Sequence, residues 1–101
     1  MQLEVTYQDI QNGIQGKMGW RPIEIAARRA GLGGAVIVEH TLFYSERDIR
    51  SVPLPVAAIR HHEQFERGEV DMHPAIIVLD LSKERSQCSI PYVSGSRSIT
   101  K

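Results

Sequence analysis

The seven residues Ala75-Ile76-Ile77-Val78-Leu79-Asp80-Leu81 constrain the fold of this chain more than any other stretch. Six of the seven are apolar and three in succession are β-branched, a pattern that suits an extended strand covered by protein on both faces. Pro74 precedes the run and the polar stretch Ser82-Lys83-Glu84-Arg85-Ser86 follows it, which sets its limits. A strand hidden on both sides needs a layered domain around it, with helices or a second sheet as cover. Ala35 to Tyr44 reads as a second strong strand, expected beside the first beneath the same helical cover.

The remaining elements follow from periodicity and punctuation. Leu3, Val5 and Tyr7 alternate with Gln2, Glu4 and Thr6, the period of a strand with one wet face. Gln8 to Gly19 is ambiguous: Ile10, Ile14 and Met18 are spaced as on a helix, but Asn12-Gly13 and Gly16 interrupt them. That segment is expected as a loop with one helical turn, or as a hairpin turning at Asn12-Gly13. Pro22 suits a first helical position, and Ile23, Ala26, Ala27 and Ala30 fall on one face, with Glu24, Arg28 and Arg29 mainly off it. Gly31 is the natural stop. Ser45 with Asp48 resembles a capping box, so a short helical turn is expected over Glu46 to Arg50. Pro55 then opens a helix running to about Arg67, with Ala58, His62 and Phe65 on one face and Gly68 closing it. Cys88, Ile90 and Tyr92 alternate into an edge strand, because Pro91 cannot donate to a ladder.

This order predicts an α+β fold: a small single-layer sheet of about four strands, mixed or mostly antiparallel, with two helices packed on one side. At 101 residues and 42% hydrophobic content, residues 1–93 are expected to form one domain and 94–101 a flexible C-terminal tail. The charge is balanced, with 12 basic and 12 acidic residues, which argues against a long-range field for nucleic acid or an anionic membrane. Arg28-Arg29 and Arg47 with Arg50 are the places where a local basic patch could form on folding. Cys88 is the only cysteine, so an intrachain disulfide is impossible and a cytoplasmic address is expected. Met1-Gln2-Leu3-Glu4 lacks a signal-peptide layout, and no apolar run is long enough to span a bilayer.

Candidate chemistry is sparse. His62 and Glu66 lie four apart on a predicted helix and Asp71 and His73 follow closely, so these four are the metal-ligand candidates. His61 points elsewhere, and the H-E-x-x-H pattern is absent. His40 falls with Val36, Val38 and Leu42 on the apolar side of its predicted strand, a position that suits either a satisfied core imidazole or a general base. Cys88 has only Arg85 nearby to stabilise a thiolate. Gly31-Leu32-Gly33-Gly34 follows a helix and leads into a strand, the wrong polarity for a phosphate loop. The aromatics Trp20, Phe43, Tyr44, Phe65 and Tyr92 are dispersed and suit core and rim packing rather than a base-stacking platform.

Three segments, Val52-Pro53-Leu54, Pro74-Ala75-Ile76-Ile77-Val78 and Val93-Ser94-Gly95-Ser96-Arg97, together resemble the partition-protein/sulfiredoxin-like nucleotide-binding fold over the last half of the chain. The resemblance implies a phosphate box at Gly95–Arg97. That box is one residue shorter than the family's G-x-x-R, and the helix between the first two segments is brief.

No catalytic constellation stands out, and neither a catalytic residue nor a cofactor is assigned. The expected function is that of a small soluble, non-enzymatic regulatory protein that binds a protein partner or a second copy of itself. The contact is expected at a strand edge or apolar interface formed by Leu3, Val5, Tyr7 and Tyr92. Two alternatives stay open. One is a nucleotide- or metal-binding module or small enzyme using His40, the His62/Glu66/Asp71/His73 group or Gly95–Arg97. The other is a nucleic-acid-binding regulator.

Overall fold

The computed structural model describes residues 1–86, in the order β1 (Gln2–Val5), α1 (Tyr7–Asn12), α2 (Pro22–Arg29), β2 (Gly33–Val38), β3 (Thr41–Glu46), β4 (Asp48–Pro53), α3 (Val56–Glu66), β5 (Ala75–Val78), a 3₁₀ turn (Leu81–Lys83) and β6 (Arg85–Ser86). The fold is α+β with antiparallel strands. A four-stranded sheet has the order β2-β3-β4-β6, and β1 pairs with β5 in a separate two-stranded sheet. The expected pair of helices is joined by the short α1. Cys88, Tyr92, the predicted strand around them and the Gly95–Arg97 box lie outside the described residues.

Both sheets and two helices feed one core. Ile37 of β2, Leu42 of β3 and Val52 of β4 stand opposite one another across the larger sheet, and all three are buried. Leu3 and Val5 of β1 with Ile77 and Leu79 at β5 complete the same apolar cluster. Helix α2 joins the two sheets by packing against both β1 and β2. Its close approach is possible because Ala26 and Ala27 on its buried face have almost no side chain to separate backbone from sheet. Pro22 opens that helix as expected. Gly31 follows its end with φ +103°, a conformation that suits glycine and strains other residues.

Four expectations about elements are corrected. The run Ala35–Tyr44 is not one strand but a hairpin: β2 and β3 pair antiparallel about Glu39-His40, and Glu39 has φ +57°. Neither residue is among those that normally mark such a turn, so the sequence conceals it. The helical turn over Glu46 to Arg50 is also absent. Here β3 reverses into β4 at Arg47, whose φ is +73°, and Ser45 pairs with Ile49 in the ladder. Tyr7 belongs to α1 rather than to β1. Thr6 caps that helix, since its hydroxyl accepts from the Asp9 amide while the Asp9 carboxylate accepts from the Thr6 amide.

The fourth correction concerns Ala75–Leu81. The extended part is only β5, and it is not covered on both faces. Ile77 and Leu79 are buried, whereas Ile76 is 63% and Val78 57% exposed. β5 is paired with β1 and not with β2, so the two apolar runs contribute to one core from different sheets.

Candidate functional site

Helix α3 carries two of the candidate residues, His62 and Glu66, and the structure commits Glu66 to holding the fold together. Glu24 is completely buried although the helical stripe left it outside. Its carboxylate accepts from the Arg21 amide at 3.0 Å, from the Arg21 guanidinium at 2.8 and 2.9 Å, and from the Ile37 amide at 2.7 Å. Burial opposes its charge, but Arg21 and the surrounding amides outweigh that and hold the Glu24 carboxyl below its ordinary value. Arg21 also reaches across to Glu66 of α3 at 2.8 Å, and the second Glu66 oxygen accepts from the Gly16 amide. One arginine and two carboxylates thereby tie α2, α3, β2 and the loop before α2 together.

This network decides the fate of the metal candidates. Both Glu66 carboxylate oxygens are occupied by Arg21 and Gly16. His62 is half-buried beside them; burial, then the positive charge of Arg21, pushes its imidazole below the ordinary value. Asp71 and His73 are exposed in the segment leading to β5. No group of three or more histidine, cysteine, aspartate or glutamate side chains among the described residues is placed to hold a metal ion. The inward-facing histidine of α3 is His61, not His62. Its Nε2 lies 3.1 Å from the His73 carbonyl oxygen, as a donor to it, and so fastens α3 to the approach of β5.

His40 is likewise displaced from its expected setting. It sits at the β2–β3 turn, exposed, with Nε2 3.8 Å from a Glu63 oxygen. An ion pair that open to water contributes little. One arginine of each suspected basic pair is held by carboxylates. Arg29 binds the buried Asp9 carboxylate and the Glu4 carbonyl oxygen, and Arg50 binds Asp48 and Glu84. A cleft of about 580 Å³ opens between Thr41, Ser51 and Pro53 on one side and Lys83, Glu84 and Arg85 on the other.

The predicted interface residues separate. Leu3 and Val5 are fully buried within the chain. Tyr7 is exposed on α1. What sequence reasoning missed is the far side of the same small sheet. The Leu79 amide donates to the Met1 carbonyl at 2.7 Å, and the Met1 ammonium donates to the Leu79 carbonyl at 2.9 Å. With that pair bonded, the alternation of an antiparallel ladder makes Leu3–Ile77 and Val5–Ala75 the other bonded pairs. The amides and carbonyls of Gln2 and Glu4 then point away on the β1 side, and those of Ile76 and Val78 point away on the β5 side. On the β1 side the outward Glu4 carbonyl receives Arg29 from α2. The β5 side pairs with no strand among the described residues.

Among the described residues β5 is therefore an edge strand, with outward amides and carbonyls at Ile76 and Val78 and two exposed β-branched side chains on its outer face. No proline, lysine or bulge lies between Pro74 and Asp80 to discourage pairing. Beside Val78 a hollow of about 130 Å³ is bounded by Pro53, Pro55, Asp80 and Lys83. Comparison with protein-family models, with curated proteins and with solved structures found no match for the chain. Among the described residues no helix is long and apolar enough to cross a membrane.

Proposed function

We propose that this protein is a small non-enzymatic binding module that docks an extended protein segment along the outer edge of β5. The observation that carries this reading is the coincidence, at Ile76 and Val78, of outward backbone groups that meet no strand among the described residues with exposed apolar side chains. Backbone hydrogen bonds would supply affinity and the two side chains a measure of selectivity, as in strand addition generally.

A second copy of the chain is the first partner this edge accommodates. An antiparallel pairing with its two-fold axis at Ile77 sets Ile76 opposite Val78 of the partner subunit, and the outward groups of both strands then meet. The result is a continuous four-stranded sheet. On its outer face each Glu4 lies at the end of a row finishing in Gln2 of the partner subunit, so like charges are kept apart. Such a contact is smaller than a standard stable interface, so association is weak and concentration-dependent. The reading includes a reducing intracellular setting, which suits a chain with a single cysteine.

The test is sedimentation velocity over a concentration series, on the wild type and on Val78→Pro. Proline removes the outward amide while leaving the bonds to β1 intact. The wild type should associate and the variant should stay monomeric with an unchanged thermal unfolding midpoint. A wild type that is monomeric throughout, or a variant that associates equally well, removes the basis for the proposal.

A further inference from the structure

The loop between α1 and α2 carries a second surface, independent of the β5 edge. Ile14, Met18 and Trp20 are 45%, 57% and 49% exposed within seven residues of each other. The loop that presents them is built rather than slack. The Ile14 amide donates to the Trp20 carbonyl at 2.7 Å, Lys17 to Ile14 at 3.2 Å, and Trp20 to Lys17 at 3.0 Å. Glu66 of α3 holds the Gly16 amide, Gln15 donates to the Glu66 carbonyl, and Arg28 of α2 donates to the Gly19 carbonyl. Gly16 and Gly19 have φ of +74° and +88°, which the turns at those points require.

Two cations flank the tryptophan. The Arg28 guanidinium lies 5.1 Å and the Lys17 ammonium 5.8 Å from the ring centroid. Neither is paired with a carboxylate among the described residues, in contrast to Arg21, Arg29 and Arg50. Half-exposed tryptophan, methionine and isoleucine on a hydrogen-bonded loop, bordered by positive charge that no carboxylate among the described residues offsets, have the composition of an interface hot spot.

We infer that this loop docks a protein segment in which apolar side chains alternate with carboxylates. Its apolar residues would cover Ile14, Met18 and Trp20, and its carboxylates would meet Lys17 and Arg28. The charge complementarity selects the acidic partner. Nucleic acid and an anionic membrane are disfavoured because two local cations on a chain of zero net charge give neither the field nor the phosphate contacts such binding needs.

Trp20 is the only tryptophan of the chain, so its emission reports on this surface without labelling. The full chain is titrated with a synthetic peptide of alternating glutamate and leucine, with phosphatidylserine–phosphatidylcholine vesicles, and with oligothymidylate. The peptide is expected to give a saturable blue shift that weakens with salt. Lys17→Glu should reduce its affinity about tenfold, equivalent to about 1.4 kcal/mol. Lys17 is exposed and reaches the loop only over the Trp20 ring, so this variant should fold as the wild type does; Arg28→Glu provides a second charge reversal, which also removes the bond to the Gly19 carbonyl. Val78→Pro should bind the peptide normally, which separates this surface from the β5 edge. An unchanged spectrum with the peptide, equal binding by both charge reversals, or a shift produced only by vesicles or oligothymidylate overturns the inference.

Discussion

At the scale of single residues, the buried charges of this protein work as fasteners. Glu24 accepts four hydrogen bonds while fully buried, so removing its charge leaves Arg21 with Glu66 as its one carboxylate among the described residues. Glu24→Gln is expected to destabilise the fold by about 3 kcal/mol, measurable by urea denaturation. The pH dependence follows from the same region. His62 has an imidazole held below its ordinary value of 6.5, so it binds a proton less readily folded than unfolded. Its contribution to stability is complete above that ordinary value and is lost as the pH falls toward the lower folded one. The urea midpoint should therefore fall between pH 7 and pH 5, and His62→Gln should flatten that part of the curve. Asp9 and Glu24 are also depressed; burial opposes this, and Arg29 and Arg21 respectively overcome it. Their contributions are present above the ordinary values of 3.8 and 4.5 and disappear in stronger acid, giving a second, lower window of destabilisation.

Elements were legible where punctuation and period agreed. Pro22 with Gly31 and Pro55 with Gly68 bracket α2 and α3 as the sequence suggests. Turns built from unusual residues were not legible. Glu39 and Arg47 adopt positive φ although both carry a Cβ that disfavours it, so two hairpins read as one strand and a helical turn. That conformation has a cost. Glu39→Gly should stabilise the protein by about 0.5 to 1 kcal/mol, because glycine takes a positive φ without the clash. A rise in the chemical denaturation midpoint would confirm it. Thr6→Ala tests the capping of α1, with an expected loss of about 1 kcal/mol in the same measurement.

For the molecule as a whole, the alternation along β5 divides stability from association. Ile77 lies in the core and Ile76 faces outward, one residue apart. Ile77→Ala should cost about 2 to 5 kcal/mol of stability. Ile76→Lys should leave stability within about 0.5 kcal/mol while abolishing self-association, since a charged edge is a common device against strand pairing. Sedimentation and denaturation measured on both variants check the division. Equal effects of the two substitutions on both readouts would mean that β5 has no distinct outer face.

The sequence by itself determined that the chain folds as α+β, where α2 and α3 begin and end, and that Ala75 begins an extended apolar segment. These properties reside in local spacing, in proline and glycine, and in β-branched runs, all of which act over a few residues. The tertiary structure decided which strands pair, which face of β5 is covered, and that Glu24 is buried while Ile76 and Trp20 are exposed. An apolar letter reads the same whether it faces the core or water, and a carboxylate reads the same whether or not an arginine waits inside for it. Only the positions of residues distant in sequence settle such questions: Arg29 of α2 bonds the outward Glu4 carbonyl of β1, whereas β5 pairs with no further strand among the described residues.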